Sequence, residues 1–119
     1  EIHERLVGSE MCIRDSAMVE RDEAGLSAAL ERVKGLSSAL ILTPTDNVDE
    51  IARTRRRAGQ LCTAQCILKA ALMRRESRGA HYRADHPCEK PAMARPICVT
   101  RQGGAIQARF IEEETTPCL

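Results

Sequence analysis

Aromatic residues are almost absent from this sequence: among 119 residues there is one tyrosine, one phenylalanine and no tryptophan. The apolar fraction is nonetheless 43%, so Leu, Ala, Ile and Val have to supply the packing of any core. These residues suit helices better than β-sandwiches or barrels, whose strands favour aromatic side chains. The length allows one domain at most, and we predict that this domain is mainly helical.

Strong net charge and long apolar runs are also missing. The formal net charge is +1, so no overall field attracts the chain to nucleic acid or acidic lipid. No run approaches the roughly 18 apolar residues of a membrane-spanning helix, which argues against direct membrane insertion. The first residues, which include Glu1 and His3, lack the apolar core of an export signal. We therefore expect a cytoplasmic protein, either free or at the cytoplasmic face of the membrane.

Six cysteines are many for this length, but the secretory context that would favour disulfides is missing, so reduced thiols are expected. Cys62 and Cys66 lie one turn apart in a strongly helical segment, where a small buried side chain is the default. His81, His86 and Cys88 could join Cys66 in a zinc site, but their spacing matches no established zinc motif. We therefore predict no metal site.

Residues 7–16, VGSEMCIRDS, resemble the peptide that arises when sequencing-adapter DNA is translated. We interpret residues 1–16 as non-native or disordered, with an ordinary frayed N-terminus as the alternative. Under the first interpretation the natural chain continues upstream. The predicted domain comprises residues 17–111, and residues 112–119 form a polar C-terminal tail.

A first amphipathic helix is predicted over residues 23–40, with the Asp22 carboxylate as its N-cap and Glu23 in its first turn. Its charged residues lie opposite a single apolar stripe, so this helix covers a neighbour with one face. The stripe consists of Leu26, Ala29, Leu30, Val33, Leu36 and Leu40.

A second helix is predicted over residues 47–77, with Thr45 or Asp46 as its N-cap. Acidic residues in its first turns, and Arg74 and Arg75 in its last turn, complement the helix dipole. Because this helix is apolar on more than one face, it requires more than one neighbour. Its two apolar rows are Leu61, Ala64, Leu68, Ala71 and Leu72, and Cys62, Cys66, Ala70 and Met73.

Irregular chain and a short β-hairpin are predicted after the second helix. Gly79 would end that helix, because glycine adopts the left-handed conformation without a Cβ clash. Residues 80–95 are expected to be irregular, since prolines such as Pro91 exclude helix. A hairpin over about residues 97–111 turns at residues 102–104, where two glycines supply positive φ. The predicted fold class is mainly α, a helical hairpin or small helix bundle followed by this hairpin.

The stretch RRESRGAHYRADHP, residues 74–87, lies where the helical pattern stops. Arg78 can bind the last helix carbonyls or hold a carboxylate in a two-pronged contact, with Glu76 or Asp85 as its partner. His81 titrates near neutrality and could act as an acid or base, but no nucleophile or metal partner is evident around it. We interpret His81 as a capping or interface residue.

A basic run within the second helix, residues 53–57, contains four arginines. Nucleic-acid binding would need a stronger net charge and more stacking side chains than Tyr82 and Phe110. A solvated helix face is therefore favoured, and no nucleic-acid partner is predicted.

With the motif of residues 74–87, the chain resembles the C-terminal helical domain of the succinate dehydrogenase and fumarate reductase flavoproteins, a family that includes L-aspartate oxidase. The octet ESRGAHYR is the specific part of this resemblance, which covers roughly residues 18–110. The matching positions are Arg21, Asp22, Gly25, Leu26, Ala71, Leu72, Arg74, Glu76, Ser77, Arg78, Gly79, Ala80, His81, Arg83, Asp85 and Pro87.

The resemblance implies hydride transfer between FAD and a C4 dicarboxylate or amino dicarboxylate. It places the FAD domain and the capping domain, with all catalytic and cofactor-binding residues, upstream in the same chain. These domains are the implied partners, and an iron–sulfur subunit is a further candidate. The fragment alone is expected to bind no cofactor and to be inactive. The residues expected to contact the flavin domain are Glu76, Ser77, Arg78, Gly79, His81, Arg83 and Asp85.

The alternative is a stand-alone helical interaction module, in which the motif merely ends a helix and the basic run docks a partner. The over-apolar second helix discriminates between the two hypotheses. A severed domain would leave an apolar face uncovered and be marginally stable, whereas a stand-alone module would fold to a compact monomer or defined oligomer.

Overall fold

A computed structural model describes residues 20–40 and 44–112. Two helices are followed by a two-stranded antiparallel sheet, which confirms the predicted fold class. The elements are α1 (Glu23–Ala39), α2 (Val48–Met73), a 3-10 turn (Pro91–Met93), β1 (Ile97–Gln102) and β2 (Ala105–Phe110). Residues 1–16, and the tail beyond Glu112, lie outside the described residues.

Helix α1 begins as its sequence predicts. The Asp22 carboxylate accepts a hydrogen bond from the Gly25 N–H at 2.6 Å, which satisfies one of the free donors of the first turn. The helix ends at Ala39, one residue before the predicted end. Its buried residues are Leu26, Ala29, Leu30 and Val33, all members of the predicted stripe.

Helix α2 differs from the prediction at both ends. Its N-cap is Asn47, not Thr45 or Asp46, because the Asn47 side chain directly precedes the helix and accepts from the Asp49 and Glu50 N–H groups. Its last residue is Met73, four positions before the predicted end. Arg74 and Arg75 therefore follow the helix instead of occupying its last turn.

The core lies between the two helices. Arg21, just before α1, pairs with Arg83, which follows the end of α2, so the two helices run antiparallel. Burying each leucine or valine side chain of this core contributes on the order of 1.5–3 kcal/mol before entropy is counted. The buried cluster comprises Leu26, Ala29, Leu30, Val33, Leu68 and Ala71, with Leu61, Ala64 and Leu72 packed against it.

Helix α2 is longer than its partner, with 26 residues against 17. Its first turns consequently extend beyond the core, and Val48 remains 76% exposed. On the part that α1 does cover, Ile67 still exposes 55% of its surface. Helix α1 therefore covers only one face of α2. The members of the second predicted apolar row are half-buried: Cys62, Cys66, Ala70 and Met73. No helix among residues 20–40 and 44–112 combines the length and apolar character of a membrane span.

The hairpin follows its prediction closely. β1 and β2 pair in antiparallel register from Ile97 opposite Phe110 to Gln102 opposite Ala105. Both turn residues, Gly103 and Gly104, have positive φ (56° and 83°), as a two-residue turn of this hand requires. The hairpin packs on α2 through buried Ile106, whose carbonyl accepts from the Lys69 ammonium group.

The segment before the hairpin contains one departure from the expected irregular chain. Pro91 begins a single 3-10 turn that ends at Met93. Proline is compatible with this position because a first helical residue needs no N–H partner.

Candidate functional site

The stretch after α2 folds back onto the ends of both helices. Arg21 and Arg83 pair in a parallel bridge, in which the Ala84 N–H donates to the Arg21 carbonyl at 2.7 Å. This contact joins residues more than sixty positions apart along the chain. We call residues 74–90, together with residues 21–23, the polar junction.

Arg83 lies at the centre of the polar junction with no exposed surface. One guanidinium nitrogen donates to the carbonyls of Leu72, at 3.0 Å, and Ala71, at 3.3 Å. These carbonyls belong to the last turn of α2, where no intrahelical donor is available and the dipole favours a cation. Arg83 therefore takes the capping role that the sequence had suggested for Arg78, and it explains why α2 can end at Met73.

Asp85 links Arg83 to the other helix. Its two oxygens accept from Arg83 Nε at 2.9 Å and Arg83 Nη2 at 2.5 Å, a two-pronged ion pair. The same carboxylate accepts from the Glu23 N–H at 3.2 Å, in the first turn of α1. Hydrogen bonding from Arg83 is the main reason why the pKa of Asp85 falls to about 2. The end of α2 and the start of α1 are thus held by one charged pair.

Glu76 forms a second buried centre and is 0% exposed. It accepts from Arg74 at 2.7 Å, from Arg78 through a two-pronged contact at 3.0 and 3.2 Å, and from the Lys90 N–H at 2.7 Å. The Arg78 hydrogen bonds are the largest cause that lowers the pKa of Glu76 to about 2. Of the two carboxylates that the sequence offered as partners of Arg78, Glu76 and Asp85, Glu76 is the one that Arg78 binds.

Arg74 connects this centre to the hairpin. Its guanidinium donates to the carbonyls of Met93, at 2.6 Å, and Arg95, at 2.7 Å. It also lies 5.5 Å from the centre of the Phe110 ring, within the range of a cation–π contact. Arg74 therefore orients the hairpin relative to α2, a role that the sequence did not indicate.

Ser77 and Gly79 shape the backbone of the polar junction. The Arg83 N–H donates to the Ser77 hydroxyl at 2.8 Å, and that hydroxyl donates to the His86 carbonyl at 2.7 Å. Gly79 has a φ of +57°, as predicted, but it lies in a tight turn between Arg78 and residue 81 and not at a helix end. The helix has already stopped, because the chain has to turn at residue 74 to bury Glu76.

His81 occupies a capping position. Its Nε2 lies 3.1 Å from the Arg74 carbonyl, and its Nδ1 lies 2.6 Å from Arg21 Nη1. A carbonyl and a guanidinium can only accept and donate respectively, so Nε2 carries the proton and Nδ1 accepts. Burial lowers the pKa of His81, and the positive charges of Arg21 and Arg83 lower it further. The ring is therefore held neutral between two structural partners.

One group of potential metal ligands occurs among the residues described. Single ligand atoms of Glu23, Asp85 and His86 lie within 4.8 Å of one another. However, Arg83 already pairs with Asp85, and it lies 3.7 Å from a Glu23 oxygen. A guanidinium compensates these carboxylates, so the arrangement is an ion-pair network and its geometry does not favour a cation.

The polar junction is built to hold a shape. Within residues 20–40 and 44–112, every buried side-chain nitrogen and oxygen has a hydrogen-bond partner, which is the condition under which a buried polar network rigidifies a fold. Six of the seven motif residues expected to contact the flavin domain lie in this network, and Gly79 lies in the turn beside it. Glu76 and Arg83 are fully buried within this chain, so their side chains shape the surface and do not form it. Sequence reasoning missed Arg21 as a partner of His81, although Arg21 belongs to the phrase that carries the family resemblance.

Acidification should destabilise the polar junction. The pKa values of Glu76 and Asp85 are about 2, below their ordinary values of 4.5 and 3.8. A carboxylate with a lowered pKa stabilises the folded state above its ordinary pKa, and this contribution is lost as the pH falls towards 2. Glu76→Gln should therefore lower the urea midpoint at about pH 6 and flatten its decline towards pH 3. Glu31→Gln, at an exposed ion pair, should keep the wild-type slope.

Comparison with known proteins supplies the family. Residues 9–104 match the family model described as "Fumarate reductase flavoprotein C-term". L-aspartate oxidase from Rhodospirillum rubrum is 41% identical over 83 residues, which cover 67% of this chain and 29% of that protein. An uncharacterized FAD-dependent oxidoreductase from Methanocaldococcus jannaschii is 32% identical over 73 residues, which cover 61% of this chain and 14% of that protein.

A solved structure shows the same fold. The chain superposes on a chain of a quinol-fumarate reductase with menaquinol molecules with a TM-score of 0.75 and 20% identity. The superposition covers 92% of this chain but only 20% of the larger one. The chain thus spans less than a third of the length of each protein compared here. Because the family model matches most of the sequence, the chain belongs to the fumarate reductase flavoprotein C-terminal family.

Proposed function

We propose that this chain is the C-terminal structural part of an FAD-dependent oxidoreductase of the fumarate reductase, succinate dehydrogenase or L-aspartate oxidase type. The whole enzyme would act on a C4 dicarboxylate or an amino dicarboxylate. The observation that carries the proposal is the polar junction, a fully satisfied Arg–carboxylate network that shapes a surface without assembling a nucleophile and base. The names of the two sequence relatives support the reaction class.

FAD itself would be held by the preceding domain. A dinucleotide site needs a strand, a glycine-rich turn and a helix in that order. In the described residues Gly103 and Gly104 join two strands, so the fit to FAD fails here. The contribution of this chain would be to dock against the flavin and capping domains through the polar junction, where Arg75 and Tyr82 remain exposed.

The remaining partners and the location follow from the same proposal. An iron–sulfur subunit is a candidate partner of the whole enzyme, since the structural neighbour is a quinol-fumarate reductase. We place the enzyme in the cytoplasm or at the cytoplasmic face of the membrane. The face of α2 that bears Ile67 would be covered by the flavin domain, because α1 leaves it exposed.

Sequencing tests this proposal directly. Long reads of the DNA upstream of the codon for Ala17 should show an open frame that encodes a glycine-rich dinucleotide site. A start codon and promoter immediately before the codon for Glu1 would contradict the proposal. The small helical interaction module would then be the function to pursue.

In the full-length enzyme, Arg78→Ala should weaken domain docking more than substrate binding. Arg78 holds buried Glu76 while exposing about a third of its own side chain, 35%, at the surface of the polar junction. We expect retained flavin to decrease and the Tm to fall by roughly 2–4 °C, with an unchanged KM. Arg32→Ala, which removes an exposed arginine of α1 outside the polar junction, is the control. A raised KM with normal Tm would show that Arg78 acts on substrate instead.

A further inference from the structure

A polar cleft lies on α2 away from the polar junction. Its volume is about 380 Å³, and it opens between the last turns of α1, the middle of α2 and the turn of the hairpin. The polar residues that line it are Lys34, Ser37, Ser38, Cys62, Gln65 and Arg101. None of the functions considered above uses this cleft.

The charge of the cleft selects for anions. Lys34 and Arg101 contribute two cations, and no carboxylate is among the lining residues. Lys34 is paired with Glu31, which accepts from its ammonium group at 2.7 Å. Both side chains of that pair are exposed, by 44% and 71%, so exchanging this partner for a ligand carboxylate costs little. The two serine hydroxyls and the Gln65 amide can donate further hydrogen bonds.

The cleft also contains a nucleophile. Cys62 lines it, whereas Cys66, one turn further along α2, does not. Burial raises the pKa of Cys66, and the neighbouring Cys62 sulfur raises it further. Because Cys62 lines the cleft and Cys66 does not, Cys62 is the sulfur that a reagent in the cleft can reach.

We infer that Cys62 is a modification site, at which it forms a mixed disulfide with a small disulfide that carries carboxylates. The Cys62 thiol releases its proton to solvent, and the thiolate attacks one sulfur of the small disulfide. The sulfur–sulfur bond of that molecule breaks as the new one forms, and its other half leaves as a thiolate that takes a proton from solvent. Lys34 and Arg101 hold the carboxylates of the half that stays bound.

The adduct should persist and not resolve into a Cys62–Cys66 disulfide. Side chains four positions apart on a helix have Cβ atoms about 5–6 Å apart, whereas a disulfide needs about 3.5–4.5 Å. Closing the bond would require α2 to unwind through its packed segment. The bound half is therefore released only by an external thiol.

Charge selectivity tests this inference. The full chain is incubated with oxidised glutathione, which carries carboxylates, or with cystamine, which is cationic, and adducts are quantified by peptide mass mapping. Exposed Cys88 serves as the internal reference. The ratio of the Cys62 rate to the Cys88 rate should be about threefold to tenfold higher with oxidised glutathione than with cystamine. This is the range expected for two nearby screened charges.

Two variants decide the outcome. In the double variant Lys34→Glu with Arg101→Glu, the preference at Cys62 should reverse, while the ratio at Cys88 stays constant. The double variant Lys34→Gln with Arg101→Gln should abolish the preference. It replaces the charge-reversed variant as the test if that variant fails to fold. Equal reactivity with both disulfides at Cys62, or a preference that neither variant changes, overturns the inference.

Discussion

Replacing Arg83 with methionine should lower the free energy of unfolding by about 1–3 kcal/mol, the usual cost of leaving a buried polar group without its hydrogen bond. Methionine fills a similar volume but leaves Asp85 without its two-pronged donor. It also uncaps the Leu72 carbonyl at the end of α2. The carbonyl then lies inside the fold without a donor, whereas the Asp85 carboxylate, 28% exposed, keeps solvent and the Glu23 N–H. Urea unfolding followed by circular dichroism measures the change.

Two further variants interpret that result. Arg75→Met removes an arginine that is 58% exposed and lies 3.9 Å from Glu23, so it should change stability by less than about 1 kcal/mol. Asp85→Asn in the Arg83→Met background should recover part of the loss, because the unpaired charge disappears. If Arg83→Met unfolds at the same urea concentration as wild type, the polar junction does not hold the helices together.

Leu68→Ala should cost about 2–5 kcal/mol, because a cavity replaces a side chain at the centre of the core. Leu68 is 2% exposed and packs among the buried residues of α1. The adjacent Ile67 is the matched control, since it is 55% exposed on the same helix. Ile67→Ala should change stability by no more than about 0.5 kcal/mol. Comparable losses for the two variants would show that the second face of α2 is buried in solution, as in an oligomer.

Buried charge is the feature that most distinguishes this chain from an ordinary helical hairpin. Arg83 and Glu76 are both fully buried, beside a core of only a few aliphatic residues. A buried ion pair adds little net stability compared with apolar packing, but any arrangement that leaves one buried charge without its partner is strongly unfavourable. A domain that has to present one fixed surface to a flavin domain benefits from that penalty. This is the physical link between the polar junction and the proposed docking role.

Local features of the fold were predictable because their chemistry lies within a few residues. The Asp22 cap, the stripe of α1 and the Gly103–Gly104 turn each depend on neighbouring positions. The N-cap of α2 was misplaced by one or two residues, since three consecutive residues, 45–47, can all act as caps. The 3-10 turn at Pro91 was not predicted from the sequence, since proline excludes an α-helix interior but is compatible with the first residue of a short helical turn.

The assignment of roles among the arginines of the polar junction was not predictable in the same way. Residues 74–87 contain four arginines with identical chemistry and two acids. The sequence does not show which arginine pairs with which acid. Arg78 binds Glu76, whereas Arg83 turns under α2 and pairs with Asp85. Arg21 and His81 are in contact although they lie 60 positions apart in the sequence. A local sequence pattern cannot predict a contact between such distant residues.

The two helices therefore follow from the amino-acid sequence alone, through their periodicity and caps, and so does the hairpin, through its turn glycines. The family motif is also contained in the sequence alone. The packed tertiary fold, and no local sequence pattern, determines that α2 ends at Met73, that Glu76 is buried and that Asp85 holds the start of α1. The reason is that a charged group is buried only where its partners and the helix ends converge. That convergence depends on how two antiparallel helices meet, which no segment of the chain specifies by itself.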